Sequence, residues 1–150
     1  MLNDQPLNIP NLCSPKPDTL ACGLPSEQDL QAAADKGVKT VINLCPTEET
    51  PPMEPGLVTQ LGMQYFNIPI RSAQDLTREA AGQLAEIMDN CDHHPVLIHC
   101  RSANRVGALL ALQAYWYEGK SAQEALQLGR NAGMTKLEPA VEQIMRQQPA

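Results

Sequence analysis

The chain has 150 residues, 43% hydrophobic and 19% charged, a balance that fits one folded unit with a buried core and excludes a disordered or fibrous chain. The net charge of −6 opposes general nucleic-acid binding, so an anionic ligand has to be captured by a local cluster of donors. With one Phe, one Trp and three Tyr, the core must be built from Leu, Ile, Val, Ala and Met.

Five cysteines, Cys13, Cys22, Cys45, Cys91 and Cys100, make an odd count without C-x-x-C pairing. Neither a disulfide framework nor a zinc site is expected, and a reducing compartment, the cytoplasm, fits best. Met1 to Leu20 has no basic segment and no apolar run of the kind a signal peptide needs. An export leader removed upstream is left open. No run reaches the length of a membrane span.

Nine of the thirteen prolines fall in the first 55 residues, and residues 1–18 read as an irregular lead-in to a single domain covering 1–150. Thr19 to Cys22 is a short strand ended by Gly23. Ser26 caps a helix with Asp29 three residues on; Leu30, Ala33 and Ala34 give it an apolar side and Gly37 stops it. Val38 to Leu44 is rich in β-branched residues and predicts a strand. Cys45 to Pro55 is a proline-bearing loop with three glutamates, followed by a short helix around Leu57 to Leu61. Met63 to Ile70 is the next strand. Thr77 caps a helix to about Asn90, with Leu84, Ile87 and Met88 on one face.

Val96 to His99 is an apolar run suited to burial on both faces of a sheet. Gly107 to Tyr117 predicts a mostly apolar, central helix; Trp116 and its flanking tyrosines are expected to pack on the core. Ser121 and Glu124 form a capping box for a helix to Leu128, and a last helix runs from about Leu137 to Arg146. Strands alternating with helices predict an α/β fold: a mainly parallel sheet with helices on both faces.

The functional signal is Pro95 to Gly107, a buried strand running through a short polar loop into a helix. Cys100 stands at the carboxyl end of the strand, where open α/β sheets bind ligands. The free amides and positive dipole end of the following helix favour a thiolate there. The amides of Arg101, Ser102, Ala103, Asn104 and Arg105 are placed to curl round an anion. The Arg105 fork suits two phosphate oxygens. His99 is expected to hold the loop through a backbone hydrogen bond rather than to act as a base.

His99-Cys100, the polar loop and Arg105 resemble the cysteine-dependent phosphatases of the protein-tyrosine and dual-specificity type. Further segments are similar to the bacterial β-lactamase-hydrolase-like, phosphatase-like family: Gly23-Leu-Pro-Ser26 to Leu30, Val41 to Leu44, Gly62 to Pro69, and Leu137-Glu-Pro139. The resemblance implies a dual-specificity-phosphatase-like fold and hydrolysis of a phosphate monoester. The route is a phosphocysteine on Cys100, without metal or cofactor, and the substrate is a phosphorylated protein or small molecule. It also implies a general acid after the Tyr65 to Pro69 strand, and Asp75 is the one Asp there. At this point Asp75 reads equally well as a helix-entry charge, with Glu48 and Glu49 as fallback acids. Arg71 is either a substrate contact or a surface charge.

The loop departs from that family in three ways. It is one residue shorter between Cys and Arg, Ala103 stands where a glycine is usual, and Val106 replaces the hydroxyl residue that eases thiolate departure. Ser102 or Asn104 is left to supply that hydrogen bond. The shorter loop also matches rhodanese-type sulfurtransferases, with a persulfide on Cys100. Without a competent acid, a non-catalytic phosphate-binding module is the third reading. Asn43-Leu44-Cys45 resembles the N-L-C of tumour-suppressor-type lipid phosphatases, which implies Cys45 as a redox partner for Cys100. His93-His94 precedes the central strand, roughly 15 Å along it from Cys100, with no third ligand at a usable spacing, so no metal is expected.

Overall fold

The computed structural model describes residues 2, 3 and 6–150; residues 1, 4 and 5 of the lead-in lie outside it. Five strands form one sheet: β1 (Cys13–Lys16), β2 (Thr19–Cys22), β3 (Thr40–Asn43), β4 (Gln64–Asn67) and β5 (Val96–His99). They lie in the order β1-β2-β5-β3-β4, all neighbours parallel except the β1–β2 hairpin. This is the mainly parallel sheet expected from the alternation of strands and helices.

The period-2 alternation of β5 shows how the sheet is covered. Val96 and Ile98 enter one apolar cluster with Ile42, and Leu97 enters the other with Leu20 and Val41. The second cluster is closed by α1 (Glu27–Lys36) and α2 (Glu54–Gln60) through Leu30, Ala33 and Val58. The first is closed by α3 (Arg78–Asp89), α4 (Asn104–Tyr117), α5 (Ala122–Asn131) and α6 (Glu138–Gln147), through Leu84, Leu109, Ala125 and Val141 among others. Buried on both faces, β5 has to be apolar throughout until its last residue.

Local signals decide most helix ends. Ser26–Asp29 and Ser121–Glu124 are reciprocal capping boxes, Thr77 caps α3, and Gly37 ends α1 in the left-handed region at φ 113°. Two starts come earlier than the apolar periodicity predicts. α2 begins at Glu54, because Pro55 is preset for a first helical turn; α4 begins at Asn104, inside the polar loop. The lead-in requires a correction, since Cys13–Lys16 is an edge strand, turned through Pro17 and Asp18 with Asp18 at φ 57°. Pro15 argued against a strand, but an edge strand has a free side and tolerates proline. Trp116 packs on the core with its rim open: its Nε1 donates to Gln148 O at 2.8 Å and the Arg78 guanidinium lies 4.8 Å over the ring. Tyr117, by contrast, is an exposed member of that aromatic run, its hydroxyl donating to Arg78 O.

Register aligns the strand ends. Cys22, His99, Asn43 and Asn67 are paired across β2, β5, β3 and β4, so the loops that follow them open at one rim. There the backbone is crowded. A methyl on Gly23 would stand 2.7 Å from Arg101 O, so the residue that ends β2 has to be glycine for the β5–α4 loop to pass. Ala103 precedes α4 at φ 72°, a left-handed conformation that costs an L-residue about 1–2 kcal/mol. Its methyl fits because Gly133 has none; a Cβ on Gly133 would lie 2.6 Å from it. Gly133→Ala is therefore expected to lower unfolding free energy by about 1–3 kcal/mol. Adding Ala103→Gly should return part of that loss. Denaturant unfolding of both single variants and the double variant measures the coupling, and strictly additive losses would show that the two residues do not act on each other.

Candidate active site

Cys100 follows β5 directly and is 1% exposed. Its N–H donates to Cys22 O at 3.4 Å, while Leu44 N–H donates to His99 O at 2.8 Å, so the nucleophile candidate is hung between β2 and β3. On the far side, Leu24 N–H donates to Arg101 O at 3.2 Å. Apart from the isolated antiparallel bridge between Gly23 and Ser102, no backbone acceptor engages the amides of residues 101–106 among the described residues. They therefore form a curl of donors at the N-terminus of a 14-residue helix, the arrangement that draws an anion.

Arg105 returns over this curl from the first turn of α4. Its Nη1 donates to Ile70 O at 3.0 Å and its Nη2 to Glu49 Oε1 at 2.8 Å, which leaves Nε unengaged among the described residues. The guanidinium is thus held from two loops of the same rim, those after β3 and β4. Glu48, next to Glu49, points elsewhere: Arg71 grips it with two hydrogen bonds, at 2.7 and 3.1 Å, on the exposed surface. That contact, first among its causes, lowers the pKa of the Glu48 carboxyl below its ordinary value. Arg71 is therefore a surface ion-pair partner. Asp75, in a short 3₁₀ turn (Ala73–Asp75), accepts Arg71 N–H through Oδ2 at 2.8 Å, leaving Oδ1 unengaged among the described residues.

Of the loop side chains, Arg101 and Ser102 are exposed and Ala103 is buried. Asn104 Oδ1 accepts from Thr135 N–H and Leu137 N–H, at 2.8 and 3.3 Å, and ties the loop to the entry of α6. Ser102 is left as the hydroxyl on the loop. Val106 is fully buried under it.

Two cysteines flank Cys100. Cys45 lies two residues beyond the β3 end, its N–H held by Asn43 Oδ1 at 2.8 Å. Burial first, then the charge of Cys100, pushes its thiol up to about 12, with Arg105 pulling the other way. Cys22 closes β2 opposite His99; burial, with Cys100 next, raises it well above an ordinary thiol. Cys22 has no partner signal in the sequence, because only the strand order β2-β5-β3 brings it here. Asn43 organises the loop carrying Cys45 and Glu49, donating to Thr50 Oγ1 and Tyr65 Oη at 2.8 and 2.9 Å.

His99 was expected to hold backbone, and its Nδ1 does face Cys100 O, at 3.4 Å. Its stronger partner is a residue without any sequence signal. Glu54, at the start of α2, is 1% exposed and its Oε2 meets His99 Nε2 at 2.7 Å. Breaking such a pair from one side costs about 3–5 kcal/mol, because the remaining group is left buried and unpaired. Nothing in a loop of prolines and glutamates distinguishes the one glutamate that turns inward. His93 and His94, in turn, bond carbonyls at the end of α3, Ile87 O and Met88 O, each at 2.7 Å. Among the described residues there is no group of three or more His, Cys, Asp or Glu arranged for a metal ion.

The sequence model of the PTP-SAK family, described as the DSP-PTPase phosphatase domain of Swiss Army Knife proteins, matches residues 16–146. No curated protein matches the chain. Among solved structures, a DUF442 protein of Shewanella putrefaciens CN-32 is similar, at 28% identity and a TM-score of 0.71 over 93% of this chain and 94% of that one. Tk-PTP shares the fold at 21% identity and a TM-score of 0.71, over 93% and 98% of the two chains. So does the catalytic core of SIW14 from S. cerevisiae, at 17% identity and a TM-score of 0.69, over 95% of each chain. A cysteine just ahead of the N-terminus of α4, an arginine held at the same rim by the loops after β3 and β4, and a family match over residues 16–146 agree: this protein belongs to the PTP-SAK family of DSP-PTPase phosphatase domains, within the cysteine-dependent phosphatases.

Proposed function

We propose that the protein hydrolyses a phosphate monoester through a phosphocysteine on Cys100, acting in the cytoplasm on a phosphorylated protein or small molecule. Residues 1–150 form a single phosphatase domain of the β-lactamase-hydrolase-like type. The observation that supports the proposal is the loop: Cys100 is followed by amides that lead into the N-terminus of α4, and Arg105, in the first turn of that helix, is held at the same rim by Ile70 O and Glu49. Arg105 and the amides of Arg101, Ser102, Ala103 and Asn104 hold the phosphate. The thiolate attacks phosphorus, the P–O bond to the leaving group breaks, and the leaving oxygen takes a proton from Asp75. Asp75, now ionised, accepts a proton from the water that attacks the phosphocysteine, releasing phosphate and the thiolate.

Asp75 is preferred to Glu49 as the acid on chemical grounds. Glu49 accepts a hydrogen bond from a guanidinium, and a carboxylate in that role has no proton to give. Asp75 spends only one oxygen, on a backbone amide. Because Glu49 shares Arg105 Nη2, an incoming phosphate engages Nε first and then competes with Glu49 for the fork.

Aryl phosphate hydrolysis is expected in the wild type and is lost, by at least about 10³-fold, in Cys100→Ser. A thiosulfate–cyanide assay run beside it should stay silent. Phosphate release that survives Cys100→Ser would sink the covalent route, and sulfur transfer without phosphate release would replace it. A leaving-group series separates the acids. Asp75→Asn should slow alkyl and phenyl phosphates by about 10²-fold or more while sparing nitrophenyl phosphate, whose leaving group needs little protonation; Glu49→Gln should not discriminate in this way.

Cys45 is proposed as the redox partner of Cys100. Its support is its position after β3, the strand next to β5, and the electrostatic effect of Cys100 on the Cys45 thiol. Cys100 as thiolate is the side that peroxide oxidises; the sulfenic acid then condenses with the Cys45 thiol, losing water. Intact-mass measurement after peroxide should show a reversible loss of two protons that is absent in Cys45→Ser. Persistence of that loss in Cys45→Ser would point to another cysteine.

A further inference from the structure

A cleft of about 570 Å³ opens beside the nucleophile loop and takes no part in the chemistry described above. Ser102 and Asn104 form one wall; the lead-in to β1, the end of α5 and the α5–α6 loop complete it. Ser102 is two residues from Cys100, so the cleft begins within about 7 Å of the nucleophile's backbone. Its lining is rich in donors. Asn104 Oδ1 is taken by the amides of Thr135 and Leu137, and Asn131 Oδ1 by Gln127 Nε2 at 3.0 Å. Both side chains are left with N–H groups that have no acceptor among the described residues. Glu138 holds Arg130 by Nε and Nη2, at 2.9 and 2.6 Å, while Nη1 has one long bond to Gln127, at 3.3 Å. Lys136, exposed on the α5–α6 loop, has no ion-pair or hydrogen-bond partner among the described residues. Arg130 and Lys136 line the cleft and no carboxylate does, whereas the 720 Å³ cavity elsewhere on α5 sets Glu118 and Glu124 beside Lys16 and Lys120.

We infer that this cleft is a subsite for a second anionic group of the substrate, a phosphate or carboxylate, so that the protein prefers a small phosphate ester carrying two such groups on one scaffold. The inference deepens the phosphatase reading and rests on the Cys100 loop as the place of the reacting phosphate. In a chain of net charge −6, an anion gathers only where local donors outweigh the carboxylates, and the cleft meets that condition beside the loop. Arg130 is offset by Glu138, so Lys136 supplies the uncompensated charge. Its place is fixed by its neighbours. Asn104, in the first turn of α4, clamps the amides on both sides of it, those of Thr135 and Leu137, and so ties the backbone of Lys136 to the nucleophile loop. The amides of Asn104 and Asn131, their oxygens already engaged, select an acceptor, and an ionised one is held most strongly. The volume of the cleft suits a compact ligand.

The test compares phosphate release from resorcinol monophosphate and resorcinol bisphosphate, which share one ring and one leaving group. Wild-type kcat/KM should be about tenfold higher for the bisphosphate, the effect of one charge-assisted contact and more than the doubling that two phosphates give by number. The preference should vanish in Lys136→Glu and persist in Lys136→Arg. Equal kcat/KM for the two compounds in the wild type overturns the inference, whether or not the variants fold. A preference undiminished in folded Lys136→Glu overturns it as well. So does a preference for a doubly over a singly phosphorylated peptide with none between the resorcinol phosphates, which would assign the cleft to a protein substrate. A failure of the phosphatase reading shows separately, as no phosphate from either compound or from nitrophenyl phosphate. Calorimetry of the same two compounds on wild-type protein then decides the subsite: tighter binding of the bisphosphate that is lost in Lys136→Glu supports it, and equal binding removes it.

Discussion

The constraint on which the site depends is the way β5 turns into α4. A strand buried on both faces must stop abruptly, and the chain must present several amides to one point before the helix takes them over. That curl requires a left-handed residue, and here it is Ala103 rather than glycine. The strain is tolerated because two neighbouring segments give way: Gly23 lets Arg101 O pass close to the end of β2, and Gly133 leaves room for the Ala103 methyl. Two glycines far apart in the chain thereby shape a loop to which neither belongs. Asn104 adds a third tie, through the amides of Thr135 and Leu137.

Around this curl the charges are sorted by depth. At the surface, Arg71 and Glu48 satisfy each other in water, where such a pair adds little stability. At intermediate depth Arg105 is held by Glu49 and by Ile70 O, poised but not saturated. Deepest, Glu54 meets His99 with no water to screen either. The overall negative charge of the chain makes this sorting necessary. An anion is drawn in only where amides and one guanidinium outweigh the carboxylates nearby. The position after Arg105 is a buried valine, and the exposed Ser102 carries the one hydroxyl of the loop.

Much of this was legible before any coordinates. The β5 run, the loop and Arg105 lie within ten residues of one another, and contiguous residues carry their geometry with them. Capping boxes at Ser26 and Ser121 and the stop at Gly37 are equally local and were readable for that reason. What escaped was either masked locally or non-local. The edge strand Cys13–Lys16 was hidden by Pro15 and Pro17, which read as loop without knowledge that one side of the strand would stay unpaired. Glu54, Cys22 and Gly133 carry no pattern of their own; each gains its role from something that folds against it.

The sequence by itself determined the class of sheet, the helix caps, the nucleophile candidate and the arginine that answers it, because period, cap and loop spacing act over a few residues. Only the tertiary structure decided which carboxyl group meets which basic side chain. Glu48, Glu49 and Glu54 sit within one proline-rich stretch, yet they go to Arg71, Arg105 and His99 respectively. The physical reason is that a charge's partner is set by strand order and by depth below the surface. Placing β3 beside β5 and folding α2 beneath the rim turns three glutamates indistinguishable in sequence into a surface ion pair, a holder for the guanidinium and a buried hydrogen-bond partner for His99.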